Sequence, residues 1–177
     1  SLSMRLMMGA AMPRTFRARA GNPLWNHYEC ADGKWIALAM LQPDRYWVDF
    51  AAAIGHPELA ADPRFATLLA RARNAQECVA VLDPAFKSRP RAEWMKVLRE
   101  SKGDFIFTLV NALQDLPDDP QMRVNGYIVD VDHPQHAPTP MVGIPVRLSA
   151  TPGNVRTPAP EHGQHTEEVL LDVLGLS

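Results

Sequence analysis

The chain has 177 residues, 46% hydrophobic and 21% charged, enough for one sizeable core or one domain with a long tail, and too few for two full domains. A formal net charge of -2, with both signs scattered along the chain, leaves no basic face for nucleic acid and no footprint for an anionic membrane surface. Cys30 and Cys78 fit neither a metal-ligand spacing nor a disulfide framework, so both read as packing residues in a reducing, cytoplasmic setting.

Residues 1–23 carry Met4, Leu6, Met7 and Met8, then Arg14, Arg17 and Arg19, then Gly21-Asn22-Pro23, which reads as a helix end followed by an irregular linker. The apolar stretch from Leu6 to Met12 is broken by Gly9 and ended by Pro13, far too short to span a bilayer. Two apolar runs, Trp25 to Cys30 and Trp35 to Leu41, flank Ala31-Asp32-Gly33-Lys34, and Asp-Gly supplies the positive φ of a tight hairpin. The second run is apolar throughout and predicts a strand covered on both faces. After Pro43 the period becomes helical, with Tyr46, Trp47, Phe50, Ala53 and Ile54 on one stripe and Gly55 as the stop.

Asp62-Pro63-Arg64-Phe65 carries the signature of a short helix with proline at its first position. Cys78, Val79, Leu82 and Phe86 share one helical face, Trp94, Val97 and Leu98 share another, and Pro90 separates them. Phe105 to Leu109 reads as a strand, Asp119-Pro120 opens a short helix, and Tyr127 to Val131 reads as an edge strand. Prolines then crowd residues 133–160 around one expected strand at Ile144 to Leu148, a composition that cannot make its own core and lies extended on another surface. The chain closes with an amphipathic helix, Thr166 to Leu174, with Thr166 at its cap and Gly175 after it. The expected fold is α/β in the broad sense: a linker over 1–23, an α+β small domain with an antiparallel sheet and packed helices over 24–132, and a proline-rich arm with a C-terminal helix over 133–177.

Several phrases, in order, carry a family likeness: Gly21-Asn22-Pro23, Tyr28-Glu29-Cys30-Ala31-Asp32-Gly33-Lys34-Trp35-Ile36, Asp62-Pro63-Arg64-Phe65 with Arg73-Asn74, and Asp119-Pro120-Gln121 with Arg123. Gly143-Ile144-Pro145, Leu148-Ser149, Thr151-Pro152, Ala159-Pro160 and Gly163-Gln164-His165-Thr166 follow. The chain thereby resembles the C-terminal portion of class III CoA-transferases, the family of formyl-CoA and carnitine CoA-transferases and α-methylacyl-CoA racemases. The resemblance implies a parent about twice this length, with a Rossmann-like N-terminal domain that holds CoA and a catalytic aspartate. It also implies an interlocked homodimer, acyl-CoA and carboxylic acid as substrates, and no cofactor beyond the CoA thioester itself.

In the transferases it resembles, an aspartate attacks the acyl-CoA and the CoA is carried as an aspartyl thioester, which divides one hard exchange into easier steps. No aspartate here matches that context, so the nucleophile is expected upstream of residue 1 and the fragment alone is expected to be inactive. A glycine-rich loop ahead of the first small-domain strand shelters the intermediates in that family. Ala20-Gly21-Asn22-Pro23 occupies the position, with Gly21 and Asn22 as the candidate loop residues and one glycine where formyl-CoA transferases have several. Glu29 matches a glutamate near the acid/base pair of the racemase branch, and His27 beside it reads as structural. His133, His136, His162 and His165 share no helix face at ligand spacing, so no metal is expected. Two other readings stay open: racemisation of a 2-methylacyl-CoA by the same fold, and a non-catalytic interaction module that docks through its arm.

Overall fold

In the computed structural model, residues 6, 7, 9, 16–133 and 136–176 are described, without the side chains of 133 and 136. The helix end expected around Met4 to Met12 lies almost wholly outside the described residues. The rest gathers into two compact units, one ending at Asn111 and one beginning at Ala112, so the sequence-based boundary at 132 falls inside the second.

Gly33, at φ 72°, lets the first unit form its hairpin. The Cys30 carbonyl accepts from the Gly33 N–H at 3.0 Å and the Cys30 N–H donates to the Lys34 carbonyl at 2.8 Å, closing a short loop with glycine at the bulge. The loop joins β1 (His27–Glu29) to β2 (Trp35–Leu38), antiparallel, with Glu29 opposite Trp35. β3 (Phe107–Val110) pairs antiparallel with the other edge of β2, Ile36 opposite Leu109, giving the order β1-β2-β3.

Four helices supply the cover: α1 (Pro43–Ala53), α2 (Leu68–Arg73), α3 (Ala75–Phe86) and α4 (Arg91–Glu100). The apolar stripes of α1, α3 and α4 are those the sequence predicts, with Trp47 and Phe50 of α1, Cys78, Val79, Leu82 and Phe86 of α3, and Trp94 and Leu98 of α4 buried in one cluster with Ile36 and Leu38. The polar ends of its large rings are matched: the indole N–H of Trp47 donates to the Leu59 carbonyl at 3.2 Å, that of Trp94 to Phe86 at 2.7 Å, and the Tyr28 hydroxyl to Pro23 at 2.8 Å.

Two local expectations are corrected here. The two faces of β2 and its continuation are covered unequally: Ile36, Leu38 and Met40 are buried, while on the other face Trp35 and Ala37 are half-buried and Ala39 and Leu41 exposed, because the core residues of α1, α3 and α4 share one cluster with Ile36 and Leu38 and strand side chains alternate sides. Asp62 to Phe65 forms a turn and not a helix. The Asp62 carboxylate accepts the Arg64 N–H at 2.8 Å and its carbonyl accepts the Phe65 N–H at 2.9 Å, and the helix starts only at Thr67, whose hydroxyl accepts from the Ala70 N–H.

Burial pushes the Cys30 thiol up to about 11 and the Cys78 thiol up to about 12, and raises the Tyr28 hydroxyl as well. The unfolded thiols ionise near about 8.5 and take protons off before the folded ones do. Stability is therefore expected to hold below that pH and to fall as pH rises toward 11, read as a declining urea midpoint between pH 7 and pH 10.

In the second unit, Asp119 caps α5 (Pro120–Val124), its carboxylate accepting from Gln121 at 2.8 Å and Met122 at 3.3 Å. β4 (Ile128–His133) pairs antiparallel with β5 (His136–Val142), Asp130 opposite Pro140. The strand of the proline-rich arm is thus β5, and the one expected at Ile144 to Leu148 does not form. Pro138 and Pro140 stand two residues apart, so their missing N–H groups fall on one side of the strand. A two-stranded ribbon has free edges where that costs no ladder bond. The last helix adopts π-helical turns over Glu168–Val173. Val131 is the buried hydrophobic side chain among the described residues of this unit, while Leu113 and Val142 are each 84% exposed.

Gly143 fixes the register at the end of β5. Its N–H donates to the Tyr127 carbonyl at 2.9 Å, and a Cβ there would stand 2.1 Å from the Gly126 carbonyl oxygen. Gly143→Ala is expected to cost this hairpin about 1–3 kcal/mol through forced backbone movement, read as faster hydrogen exchange of β4 and β5 amides.

Candidate functional site

The linker ahead of β1 folds back on the first unit as a short 3-10 turn, Arg17–Arg19. Arg17 makes it hold. Its guanidinium forms a two-pronged pair with the Asp83 carboxylate of α3 at 2.7 and 2.6 Å, donates to the His27 carbonyl at 3.3 Å and lies 5.8 Å from the Tyr28 and Trp35 ring centres. The Asp83 bond raises the already high pKa of Arg17 further. Asn26, buried, donates its side-chain N–H to the Arg17 carbonyl at 3.1 Å.

Asn22 is the next anchor. Its Nδ2 donates to the Met40 carbonyl at 2.9 Å and its Oδ1 accepts from the Leu24 N–H at 3.0 Å, so both ends of the amide are engaged within the domain. Gly21 is exposed, takes no left-handed φ, and an added Cβ would meet only the Ala72 Cβ, at 3.9 Å. Gly21→Ala is accordingly expected to leave stability within about 0.5 kcal/mol of the parent. A loss of turnover in that variant with an unchanged melting temperature reports clearance toward a ligand.

An open groove of about 400 Å³ lies between the linker and the sheet, lined by Phe16, Arg17, Ala20, Asn26, His27 and Ala39 among others. Phe16 is 72% and Trp25 63% exposed, and both line or flank it. Glu29 stands two residues beyond His27 on β1 and its carboxylate meets the Lys87 ammonium at 2.8 Å, raising the lysine pKa. His27 packs its ring 5.4 Å from that of Trp35. The structure therefore places Ala20 and His27 in one groove, leaves Gly21 and Asn22 outside its lining, and occupies Glu29 in an ion pair at the helix end.

Among the described residues no three metal-ligating side chains come together. Both thiols are buried with raised pKa values, which removes them as nucleophiles. Sequence reading missed Arg17, Asn26 and Asp83. Arg17 sits in a basic run that reads as linker, and its partner is 66 residues away, so only the fold reveals the pair.

Three further phrases that carry the likeness make contacts that hold the fold. Arg64 pairs with Asp62 at 2.7 Å and with Glu77 at 3.0 Å, Asn74 donates to the Arg64 carbonyl at 3.1 Å, and Arg123 grips Asp130 at 2.9 and 3.0 Å.

The linker is thus pinned beside an open groove. The chain belongs to CoA-transferase family III, whose profile matches residues 1–166. It is 34% identical over 166 residues to the succinyl-CoA–D-citramalate CoA-transferase of Chloroflexus aurantiacus, covering 91% of this chain and 40% of that one. It is 29% identical over 162 residues to the (R)-2-hydroxy-4-methylpentanoate CoA-transferase of Clostridioides difficile, covering 92% of this chain and 40% of that one. The formyl-CoA:oxalate CoA-transferase of Bradyrhizobium diazoefficiens matches at 31% identity over 131 residues, 74% of this chain and 30% of its own. The chain thus spans about two fifths of the first two relatives. Its fold matches that of a CAIB/BAIF family protein from Brucella suis with a TM-score of 0.80 at 21% identity, over 97% of this chain and 43% of the other.

No helix among the described residues is long and apolar enough to cross a membrane.

Proposed function

We propose that these residues form the small domain and return arm of a cytoplasmic, homodimeric enzyme that moves CoA from an acyl-CoA to a carboxylic acid. The nucleophilic aspartate comes from outside the 177 residues. Its carboxylate attacks the thioester carbonyl, the C–S bond breaks, and CoA thiolate leaves a mixed anhydride. The thiolate then attacks the aspartyl carbonyl, releasing the donor acid and forming the aspartyl-CoA thioester. The acceptor carboxylate and the thiolate repeat the two steps in reverse, which returns the aspartate.

The observation that supports this reading is the match to CoA-transferase family III over residues 1–166, with Ala20 of the loop segment lining an open groove. The exposed apolar side chains of the second unit support an arm that packs on further protein. The residues that serve here are walls and struts: they position and exclude water, and no proton or acyl step is assigned to them.

The test uses the product of the whole reading frame that encodes these residues, given succinyl-CoA or formyl-CoA and an isotopically labelled carboxylic acid. The label is expected in a new CoA thioester with no net release of free CoA. Exchange of an α-proton of a 2-methylacyl-CoA with deuterated solvent, without label transfer, would replace this reading by racemisation. A folded product with neither activity would leave the interaction module.

A further inference from the structure

Within segment 16–26 two side chains, Arg17 and Asn22, anchor the chain on either side of residues 18–21, which turn on the Arg19 N–H bond to the Phe16 carbonyl and the Ala20 N–H bond to the Arg17 carbonyl. At one end the Arg17 side chain is clamped by Asp83 while the Arg17 carbonyl accepts from Asn26; at the other Asn22 ties the Met40 carbonyl to the Leu24 N–H. Only Ala18, Arg19, Ala20 and Gly21 lie between, and four residues held at both ends have too little slack to swing. The clamp is part-buried and two-pronged, the form of ion pair that fixes geometry best, and it draws together residues 66 apart in sequence.

We propose that Arg17 is a positioning residue for CoA transfer. With Asp83 it holds the turn through Ala20, which lines the groove beside Arg17, as a fixed rim in place of a swinging lid, so that the acceptor acid enters while water is kept from the aspartyl thioester. The proposal rests on the CoA-transfer reading above. Water that reaches the thioester attacks its carbonyl, the C–S bond breaks, CoA leaves as the thiol and the aspartate is restored, so a displaced rim converts transfer into hydrolysis. The relevant ratio is free CoA released per acceptor thioester formed.

The experiment compares the full-length protein with its Arg17→Lys, Arg17→Ala and Asp83→Asn variants, in that ratio and in hydrogen exchange at residues 18–22. Asp83→Asn and Arg17→Lys preserve size and guard against a variant that does not fold. The hydrolysis ratio is expected to rise about tenfold in Arg17→Ala and Asp83→Asn, and less in Arg17→Lys, which keeps the charge and loses the fork. Amide exchange at 18–22 rises in the same order. An unchanged ratio overturns the proposal: with faster exchange the clamp is structural only, and with unchanged exchange it is no clamp. A parent protein that transfers no CoA removes the functional reading itself, and this inference with it.

Discussion

Phe50→Ala is expected to bring the first unit close to unfolding at ambient temperature. The ring is fully buried and its centre lies 5.7 Å from that of Phe105, 6.3 Å from Phe86 and 6.3 Å from Trp47, so it touches β3's approach, α3 and its own helix at once. Removing a buried phenylalanine from such a position costs about 3–5 kcal/mol, with the edge-to-face pairing to Phe105 adding to the burial lost. That is a large share of the roughly 5–15 kcal/mol that holds a domain folded. Thermal unfolding followed by tryptophan fluorescence is expected to show a midpoint lowered by more than about 10 °C, with Phe50→Leu intermediate because it refills part of the volume. A drop of only a few degrees in the alanine variant would mean that the cluster is not cooperative.

Arg71 provides the second large effect. It is fully buried, donates to the Phe65 carbonyl at 2.5 Å and to the Asp44 carboxylate, and stacks 4.4 Å above the Trp47 ring, with its Nε unpartnered. Burial pulls its pKa down and Asp44 opposes that pull. Asp44 itself is 57% exposed and rehydrates freely if the arginine is lost. The costs of Arg71→Ala are therefore a cavity and an unpaired Phe65 carbonyl, together about 3–5 kcal/mol. Arg71→Met refills the space beside Trp47 and leaves the carbonyl as the main deficit, about 1–3 kcal/mol. Urea midpoints ordered parent, methionine, alanine support this account. A methionine variant as unstable as alanine would show that the charge itself, and not the volume, is what the site requires.

The pattern of the first unit was legible because its signals are local. Asp32-Gly33 marks a turn by its backbone demands, and the stripes of α1, α3 and α4 follow from helical spacing, so hairpin and helices fall where the residues place them. What failed depended on partners distant in sequence. The run from Trp35 to Leu41 cannot say how many faces will be covered, and Asp62 to Phe65 cannot say that its own aspartate will close a turn first. The strand expected at Ile144 to Leu148 forms instead at His136–Val142, where a two-stranded ribbon with free edges accommodates Pro138 and Pro140.

The candidate site divides along the same line. Gly21 and Asn22 were found through the order of the phrases, and of that segment it is Ala20 that lines the groove. Asn22 proves to be a strut as well, since both ends of its amide are held by backbone. Glu29, which its phrase offered for acid/base work, is paired with Lys87. Arg17 and Asp83 carry no local signature at all, and two charges in a mixed background become a clamp only when α3 lies beside the linker.

The most direct test of the account is to incubate the full-length protein with acyl-CoA, without acceptor acid, quench with hydroxylamine and map the modified residue by peptide mass spectrometry. The account predicts one aspartyl hydroxamate, in a peptide outside these 177 residues, and its absence when the acyl-CoA is omitted. A hydroxamate on an aspartate within these residues, or none at all from a protein that still turns over, would contradict it.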